Sequence, residues 1–291
     1  MVEVHNRRTP LHVLGPDDVD AIAALCRRGL SDPPSVEELR GALFHSEQAA
    51  TVRGDPSVGV VASARGLEHV NGPEQGFIRL FAVDPERRGR GHGRALLTAA
   101  EDDLTTAGCM SVTTGADAPR YLWPGVDVRE TALLCLLERA GYQRAETNFD
   151  MAVDLARTPP DPGGTRLARP DADDRAALAD FCDANYPNWK PEVLRALEQQ
   201  TLVVADDADG IVGFCAYSVT RAELLGPVAV RLELIGKRKG EPLLLGALHR
   251  MRAAGHEHVE VSWVGPIVPY ARVGGEVSRV FFVYRKALRR P

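Results

Sequence analysis

The chain has 291 residues and a formal net charge of −5; 44% of its residues are hydrophobic and 26% are charged. This apolar content excludes an intrinsically disordered chain and is sufficient for one large or two medium globular cores, of which the length favours two. The acidic balance provides no global positive field, so we expect neither nucleic acid nor an anionic membrane as a partner.

The cysteines and the N-terminus predict the compartment. The five cysteines are widely spaced, include no CxxC pair and lie among apolar neighbours: Cys26, Cys109, Cys135, Cys182 and Cys215. They are typical of core residues in a reduced cytosolic protein. The segment MVEVHNRRTPLHVLG has no apolar run of signal-peptide length, and no run of about 18 apolar residues offers a membrane span. We therefore expect a soluble, cytoplasmic protein.

Strands and helices alternate in the first half of the sequence. An extended segment from Thr9 leads into a Pro-Asp helix start and a helix with an apolar face. Strands are predicted at 59–64 and 77–83, followed by a glycine-rich turn and a helix over 91–107 whose apolar residues form one stripe. The half is completed by a strand at 110–114, a helix around 130–140 and a strand through 150–153.

The two halves are joined by a linker and resemble each other. Residues 156–164, ARTPPDPGG, contain three prolines and two glycines, which favour an exposed linker. The segments TPLHVLGPDD before the first helix and TRLARPDADD after the linker begin their halves alike. The second half then repeats the order of elements, with strands at 202–205, 211–217, 227–230, 259–264 and 280–284 and a helix at 242–254.

We interpret this pattern as a duplication rather than a solenoid repeat. It predicts two tandem α/β domains, each with a mixed, twisted sheet flanked by helices. The predicted domains are residues 1–155 and 165–291, with residues 156–164 as the linker. We expect the domains to pack as an intramolecular pseudo-dimer.

The stretch from Val83 to Arg94, VDPERRGRGHGR, joins a predicted strand to an amphipathic helix. Its alternating glycines allow a tight turn and leave backbone N–H groups uncovered. At a helix N-terminus such groups can hold a pyrophosphate, and the arginines of the turn can add charge-assisted contacts. A Rossmann fingerprint is excluded because Arg94 takes the place of its third glycine, and a Walker loop because Gly-Lys-Ser/Thr is missing. A solvated glycine turn is the alternative, which the strand before and the helix after it disfavour.

Over residues 10–154 the sequence resembles the GCN5-related N-acetyltransferase (GNAT) superfamily. Arg88, Gly91 and Gly93 match the family signature Arg/Gln-x-x-Gly-x-Gly/Ala after the strand end V-x-P. The resemblance implies acetyl-CoA as cosubstrate, with its pyrophosphate on the loop and its pantetheine antiparallel to a splayed strand. The implied cofactor-binding residues are Phe81, Ala82, Val83, Arg88, Gly89, Arg90, Gly91, His92, Gly93 and Arg94.

The second half is similar to the same family in a degenerate form. Residues 225–230 resemble the pantetheine strand, but the loop that follows reads KRKGEP. We place Pro242 at the last glycine position, where it would remove an N–H donor, and Glu241 beside the expected phosphates. This predicts weak or no CoA binding by the second half, unless the basic residues of the loop compensate.

Acetyl transfer needs a deprotonated amine, a stabilised oxyanion and a proton for the leaving thiolate. Family members often supply the acid from the tyrosine of a Y-E-K-x-G-F segment. In the first half Leu137 stands at that position, whereas the second half retains Tyr270. Tyr270 is therefore a candidate acid, with a buried structural tyrosine as an equal alternative. Among the acidic residues near the opening of the first half, Asp117, Asp127 and Glu130, we select Glu130 as the candidate base.

Two further segments leave alternatives open. The aromatic loop 120–127 either lines an acceptor pocket or packs against the second half. His256 and His258 alternate at a strand start without a third ligand, so we assign no metal.

The resemblance implies an acetyl-CoA-dependent N-acetyltransferase that acts on a primary amine of a small molecule or peptide. The alternative is an acetyl-CoA-binding pseudoenzyme or regulatory binding module. The leucine at position 137 favours the alternative, and the complete glycine loop favours the enzyme.

Overall fold

The computed structural model describes residues 11–45, 49–68 and 70–288. The start of the sequence repeat at Thr9 therefore lies outside the described residues. The chain divides into two compact units. In the described part, the first comprises the residues up to Asp117, Tyr121–Glu146 and the segment from Phe282 onward, and the second comprises Ala118–Arg120 and Thr147–Phe281.

The first unit is a mixed sheet with four helices in its described part. Its strands are β1 (His12–Leu14), β2 (Thr51–Asp55), β3 (Gly59–Arg65), β4 (Gln75–Val83), β5 (Ser111–Thr114) and the short β6 (Val126–Asp127). Its helices are α1 (Val19–Gly29), α2 (Val36–Phe44), α3 (His92–Thr106) and α4 (Thr131–Arg139). The order is β1-β2-β3-β4-β5, with β4 and β5 parallel and the other pairs antiparallel.

The second unit repeats this arrangement. Its strands are β7 (Gln143–Asp154), β8 (Arg166–Leu167), β9 (Leu202–Asp207), β10 (Gly210–Tyr217), β11 (Leu224–Val230) and β12 (His258–Val261). The first residues of β7, up to Glu146, belong to the first unit. Its helices are α5 (Ala172–Asn185), α6 (Lys190–Glu198), α7 (Gly240–Ala253) and α8 (Ile267–Arg272). The order is β8-β9-β10-β11-β12-β7, again with one parallel pair, β11 and β12. The predicted fold class, two α/β units with mixed sheets, is confirmed.

The C-terminal residues complete the first unit. The last strand, β13, spans Gly275–Ala287, and its final residues pair antiparallel with β5 through Arg285↔Thr113 and Lys286↔Val112. The compact units therefore differ from consecutive halves of the chain. The predicted domains 1–155 and 165–291 follow the sequence repeat, and that division stays a prediction. Within the predicted linker, residues 158–164 form neither helix nor strand.

Each face of the first unit's sheet buries its own apolar cluster. Alternate residues of β3 point to opposite faces: Val60 and Ala62 pack with α1 and α2, whereas Val61 packs with α3. Helix α2, which the sequence analysis did not predict, begins with a capping box in which the Ser35 hydroxyl accepts from Glu38 N at 3.2 Å and the Glu38 carboxylate accepts from Ser35 N at 2.8 Å.

The cysteine prediction needs one correction. Four cysteines are buried, but Cys135 is exposed on α4 because its side chain leaves the apolar face of that helix. In the described part of the chain, no helix has the length and apolar character needed to cross a bilayer.

Candidate functional site

Strands β4 and β5 separate at the carboxyl end of their pairing. The parallel pairs run from Gln75↔Ser111 to Ile78↔Thr114, whereas β4 continues to Val83. Residues 80–83 of β4 remain paired with β3 on their other side. The edge that faced β5 is thus open along Phe81, Ala82 and Val83, where an extended ligand can add backbone hydrogen bonds.

The glycine loop turns β4 into α3. A short 3₁₀ turn at Pro85–Arg87 follows the strand, and Gly89 and Gly91 then adopt φ angles of 75° and 87°, the left-handed region that glycine tolerates best. A Cβ atom on Gly91 would meet no atom within 4 Å. The backbone bond from Ala95 N to the Gly91 carbonyl closes the first turn of α3 at 3.1 Å. The amides of residues 92–94 therefore lie in the first helical turn, which lacks intrahelical acceptors.

The open edge and the loop line one cleft of about 430 Å³. Its lining includes eight of the ten predicted cofactor residues: Phe81, Ala82, Val83, Arg88, Gly89, Gly91, Gly93 and Arg94. The C-terminal end of α1 and one face of α4 complete the walls, with Leu30, Glu130, Leu133, Cys135 and Arg139 among them. Apolar walls, arginines and the positive end of a helix suit a thioester that carries a pyrophosphate.

The other two predicted residues, Arg90 and His92, do not line this cleft. They line an adjoining groove of about 510 Å³ with Asp55, Thr98 and Asp102, and this groove shares Gly91 and Arg94 with the cleft. Alternate side chains of the loop point in different directions, which the sequence pattern does not resolve. The cofactor role of all ten residues stays a prediction.

Arg88 is engaged by the protein itself. Its Nη2 donates to the carbonyl of Gly29 at 2.8 Å, and its Nε donates to the carbonyl of Val83 at 3.3 Å. The guanidinium thus joins the end of α1 to the end of β4. This arrangement supports a role in holding the cleft walls together, in addition to any contact with a phosphate.

The candidate bases differ in their surroundings. The Asp117 side chain is fully buried and paired with Arg79. Asp127 accepts from the guanidinium of Arg129 at 2.6 and 3.0 Å. Glu130 lies at the start of α4, lines the cleft and accepts from the backbone N–H of Ser31 at 2.7 Å. Of the three carboxylates, Glu130 is the one in the cleft.

The candidate acid belongs to the second unit. Tyr270 lies on α8 and packs against a core cluster of that unit, and burial raises the pKa of its phenol to about 12. It is not among the residues that line the cleft of the first unit. Leu137, at the corresponding position of the first unit, is fully buried in the apolar cluster beside α3 and α4.

The loop of the second unit corrects the predicted position of Pro242. Both loops begin with a 3₁₀ turn, Pro85–Arg87 and Leu232–Leu234, and this shared turn aligns Gly236 with Gly89. Arg238, with a φ of 59°, then matches Gly91, and Gly240 matches the last glycine. Pro242 consequently matches Ala95, whose N–H is bonded within α3, so no ligand donor is lost there. The register was misjudged because two lysines and an arginine obscure the glycine spacing.

The degeneracy has a different basis. By the same alignment Ile235 stands at the position of Arg88 and Glu241 at that of Arg94. Arg238 and Glu241 form an ion pair at 3.1 Å across the start of α7. The carbonyl of Val230, which corresponds to that of Val83, accepts from the hydroxyl of Tyr186 at 2.9 Å. The second unit therefore has an arginine where the first has Gly91, and an isoleucine and a glutamate where the first has Arg88 and Arg94.

The aromatic loop contributes to the first unit from Tyr121 onward. Leu122 is buried in the cluster under α1 and α2, and Trp123 Nε1 donates to the Asp32 carboxylate at 2.8 Å. Neither residue lines the cleft. The two histidines 256 and 258 join no group of three or more metal-ligating side chains in the described part of the chain; the absence of a metal stays a prediction.

A buried carboxyl in the second unit has a raised pKa. Asp150 on β7 accepts from Trp263 N at 2.8 Å and is almost completely buried. Burial and the nearby Glu260 raise its pKa from the ordinary 3.8 to about 7. The folded state thus binds this proton more tightly than the unfolded state, so the stabilising contribution is fully present below about pH 4 and is lost as the pH rises through about 7.

Asp150→Asn is therefore expected to raise the melting temperature relative to wild type, by an increment that grows between about pH 5 and about pH 8. The amide keeps an acceptor for Trp263 N and carries no charge to bury. Calorimetric melts across this range measure the effect. Asp209→Asn, at an exposed turn of the same unit, is the control and should give no such trend; a parallel trend in both variants would contradict the assignment.

The comparisons with known proteins agree with this architecture. The sequence profile of the Acetyltransferase (GNAT) family matches residues 25–120. A GCN5-related N-acetyltransferase from Sphaerobacter thermophilus superposes with a TM-score of 0.70 at 22% identity, covering 96% of each chain. A tandem GNAT protein from the clavulanic acid biosynthesis pathway has a TM-score of 0.70 at 18% identity, covering 96% of this chain and 98% of the other.

A third similar structure is longer. The GCN5-related glucosamine N-acetyltransferase region of a fungal multi-domain GH3 β-N-acetylglucosaminidase has a TM-score of 0.78 at 21% identity. The match covers 95% of this chain and 38% of the fungal chain. No curated protein sequence matches this chain. At these identities the structural matches establish the fold, which is that of tandem GNAT proteins.

Proposed function

We propose that the first unit transfers an acetyl group from acetyl-CoA to a primary amine, on the premise that residues 25–120 match the sequence profile of the Acetyltransferase (GNAT) family. Members of this family are acetyltransferases. The acceptor proposed is a small molecule or a peptide. Reaction in the cytoplasm, expected from the reduced cysteines, is part of the proposal.

One observation carries the proposal: the open edge of β4 and the glycine loop at the start of α3 line the same cleft. The loop offers backbone amides to a pyrophosphate, and Arg94 and Arg139 add positive charge beside it. The strand edge faces an extended pantetheine arm along Phe81, Ala82 and Val83, of which the Val83 carbonyl already accepts from Arg88 Nε at 3.3 Å. Acetyl-CoA supplies the thioester when it is bound, and the residues of the cleft hold it against the amine.

Positioning supplies a large part of the rate in this proposal. A bound amine that is held against a bound thioester can gain effective molarities of about 10⁵ M or more. A general acid contributes about 10²- to 10⁴-fold. The leucine at position 137 therefore lowers the rate without abolishing turnover, and water or a neighbouring group protonates the thiolate.

Release of CoA across an amine library tests the activity, because CoA forms whatever the acceptor is. The library contains amino acids, peptides, polyamines and amino sugars, including glucosamine, which the fungal region is named for. CoA is quantified by chromatography rather than with a thiol reagent, because the exposed Cys135 would react with the reagent. Acceptor-dependent CoA release supports the enzyme.

The pseudoenzyme is the second candidate, favoured by the buried leucine in place of the acid. It predicts acetyl-CoA binding without CoA release for every amine tested. A chain that neither binds acetyl-CoA nor releases CoA would contradict both candidates.

Acetyl-CoA is expected to bind at one site per chain. The first unit has Arg88, Gly91 and Arg94 in its loop, whereas the second unit has Ile235, Arg238 and Glu241 at these positions. Isothermal titration calorimetry of the full chain measures the stoichiometry. Two equal sites would contradict the degeneracy of the second unit.

Tyr270→Phe is expected to leave kcat within a few-fold of wild type, because the hydroxyl that is lost belongs to the second unit and does not line the cleft of the first. Steady-state kinetics with an acceptor from the library measure it. A fall of about 100-fold or more at unchanged acetyl-CoA affinity would identify Tyr270 as the acid and move the chemistry to the second unit.

A further inference from the structure

A fully buried ion pair lies where β4 and β5 separate. The side chains of Arg79 and Asp117 are both 0% exposed. Arg79 Nε donates to Asp117 Oδ2 at 2.7 Å, and its Nη2 donates to the same oxygen. Nη1 donates to the carbonyl of Ala42, in the last turn of α2, where a cation is favoured by the helix dipole.

Arg79 is also the residue at which β4 changes its course. It is the first residue after the last β4–β5 pair, Ile78↔Thr114. The pairing with β3 shifts register at the same point, since Ala62 pairs with Leu80 and Ser63 with Ile78. Ile78 and Leu80 therefore pack into opposite core clusters although they are two residues apart.

Asp117 fixes the other wall of the opening. It follows β5 by three residues and lies on the segment that leaves the sheet. The pair thus joins β4, α2 and the segment after β5 at the inner end of the open edge. The glycine loop lies at the outer end of the same edge, after Val83.

The second unit, whose residues are all described, makes the same opening without an ion pair at the corresponding positions. Its last parallel pair, Leu225↔Val261, places Gly226 at the position of Arg79. The same pairs match Thr114 with Val261. Two residues further on, Ala116 and Trp263 both have a φ of 54°, so the residues that follow them, Asp117 and Val264, also correspond. A glycine and a valine therefore suffice for the fold. The ion pair is an addition in the unit that has the intact loop.

We infer that Arg79 and Asp117 are positioning residues that set the width of the β4–β5 opening and so hold the acetyl end of the cosubstrate. The inference rests on the proposed function, because it assigns the inner end of the cleft to the thioester. Removal of one partner would leave an uncompensated buried charge, whereas replacement of both by apolar residues retains the core.

The test measures two ligands on the full chain by calorimetry. Acetyl-CoA spans the loop and the opening, whereas adenosine 3′,5′-bisphosphate lacks the pantetheine arm that would reach the opening. The double variant Arg79→Met/Asp117→Val replaces the pair by apolar residues and should bind acetyl-CoA about 10-fold or more weakly, the cost of about one misplaced hydrogen bond. Its affinity for the bisphosphate should remain that of wild type.

Three further variants sharpen the result. Asp117→Asn retains an oxygen acceptor but leaves the buried guanidinium without its counter-charge, so it should lower the melting temperature and, while folded, keep more of the acetyl-CoA affinity than the double variant. Arg79→Lys keeps the charge but lacks the fork that reaches both Asp117 and Ala42, so it should weaken acetyl-CoA binding selectively. Arg53→Met, which removes an ion pair between β2 and α3, is the control and should change neither affinity.

Circular dichroism melts identify the folded variants. If the double variant does not fold, Arg79→Lys decides: wild-type acetyl-CoA affinity in a folded Arg79→Lys would overturn the inference. Equal loss of both ligands would also overturn it, because it would indicate general unfolding rather than positioning. If wild type itself does not bind acetyl-CoA, the proposed function fails instead.

Discussion

A glutamate in place of Gly91 or Gly93 is expected to abolish acetyl-CoA binding by the full chain. Gly91 has a φ of 87°, so any side chain there is strained, and a carboxylate would lie beside the amides that are free to hold the pyrophosphate. A Cβ atom on Gly93 would lie 3.0 Å from Leu136 Cδ2 and 3.8 Å from the ring of Phe81, so its side chain would fill the cleft itself. Calorimetry with acetyl-CoA measures the loss.

Two controls separate strain, charge and occupancy. Gly91→Ala adds the strain without the charge and should retain measurable binding. Gly163→Glu places the same residue in the linker at a similar φ of 75° with nothing within 4 Å, and should bind as wild type does. Wild-type affinity in either loop glutamate variant would exclude this loop as the pyrophosphate site.

Local patterns were sufficient to predict the fold class and the position of the glycine loop between β4 and α3. The strand before the loop, the alternating glycines and the apolar stripe of α3 all lie within residues 77–107, a short segment over which hydrophobic periodicity is informative. The predicted helix 91–107 is observed as His92–Thr106. The repeat of strand and helix order likewise predicted the second unit, because each half carries the same sequence of local signals.

The remainder depends on contacts between residues distant in sequence. The pair of Arg79 and Asp117 joins positions 38 apart, and no local pattern marks an arginine inside an apolar strand as a buried partner. The direction of the Arg88 side chain depends on the end of α1, 59 residues away. The C-terminal completion of the first unit by β13 is a tertiary pairing that strand prediction alone does not assign.

Glu130 illustrates how such a contact changes a functional interpretation. Sequence position selected it as a base, but its carboxylate accepts from the backbone N–H of Ser31 and so fastens the segment between α1 and α2. A second hydrogen bond holds the same segment, because Asp32 accepts from Trp123 Nε1. We therefore expect Glu130 to position the wall of the cleft rather than to remove the proton from the amine.

Substitutions at Glu130 distinguish the two roles. Glu130→Gln keeps an oxygen acceptor for Ser31 N but cannot take a proton, so it should turn over at nearly the wild-type rate. Glu130→Ala frees the segment and should lower kcat/KM for the acceptor about 100-fold, mainly through KM, as expected when a wall of the site is misplaced. Steady-state kinetics with an acceptor from the amine library measure both.

Asp32→Ala removes the hydrogen bond between Trp123 and the same segment, so it should also raise the KM for the acceptor. Asp32→Asn retains an acceptor for the Trp123 indole and should not raise it. A general base would behave differently. Glu130→Gln and Glu130→Ala would then both lower kcat by about 100-fold or more and would remove the same limb of the pH–rate profile. The glutamine variant keeps the hydrogen bond from Ser31 N in either case. Its kcat alone therefore decides whether this carboxylate transfers a proton or positions the cleft wall.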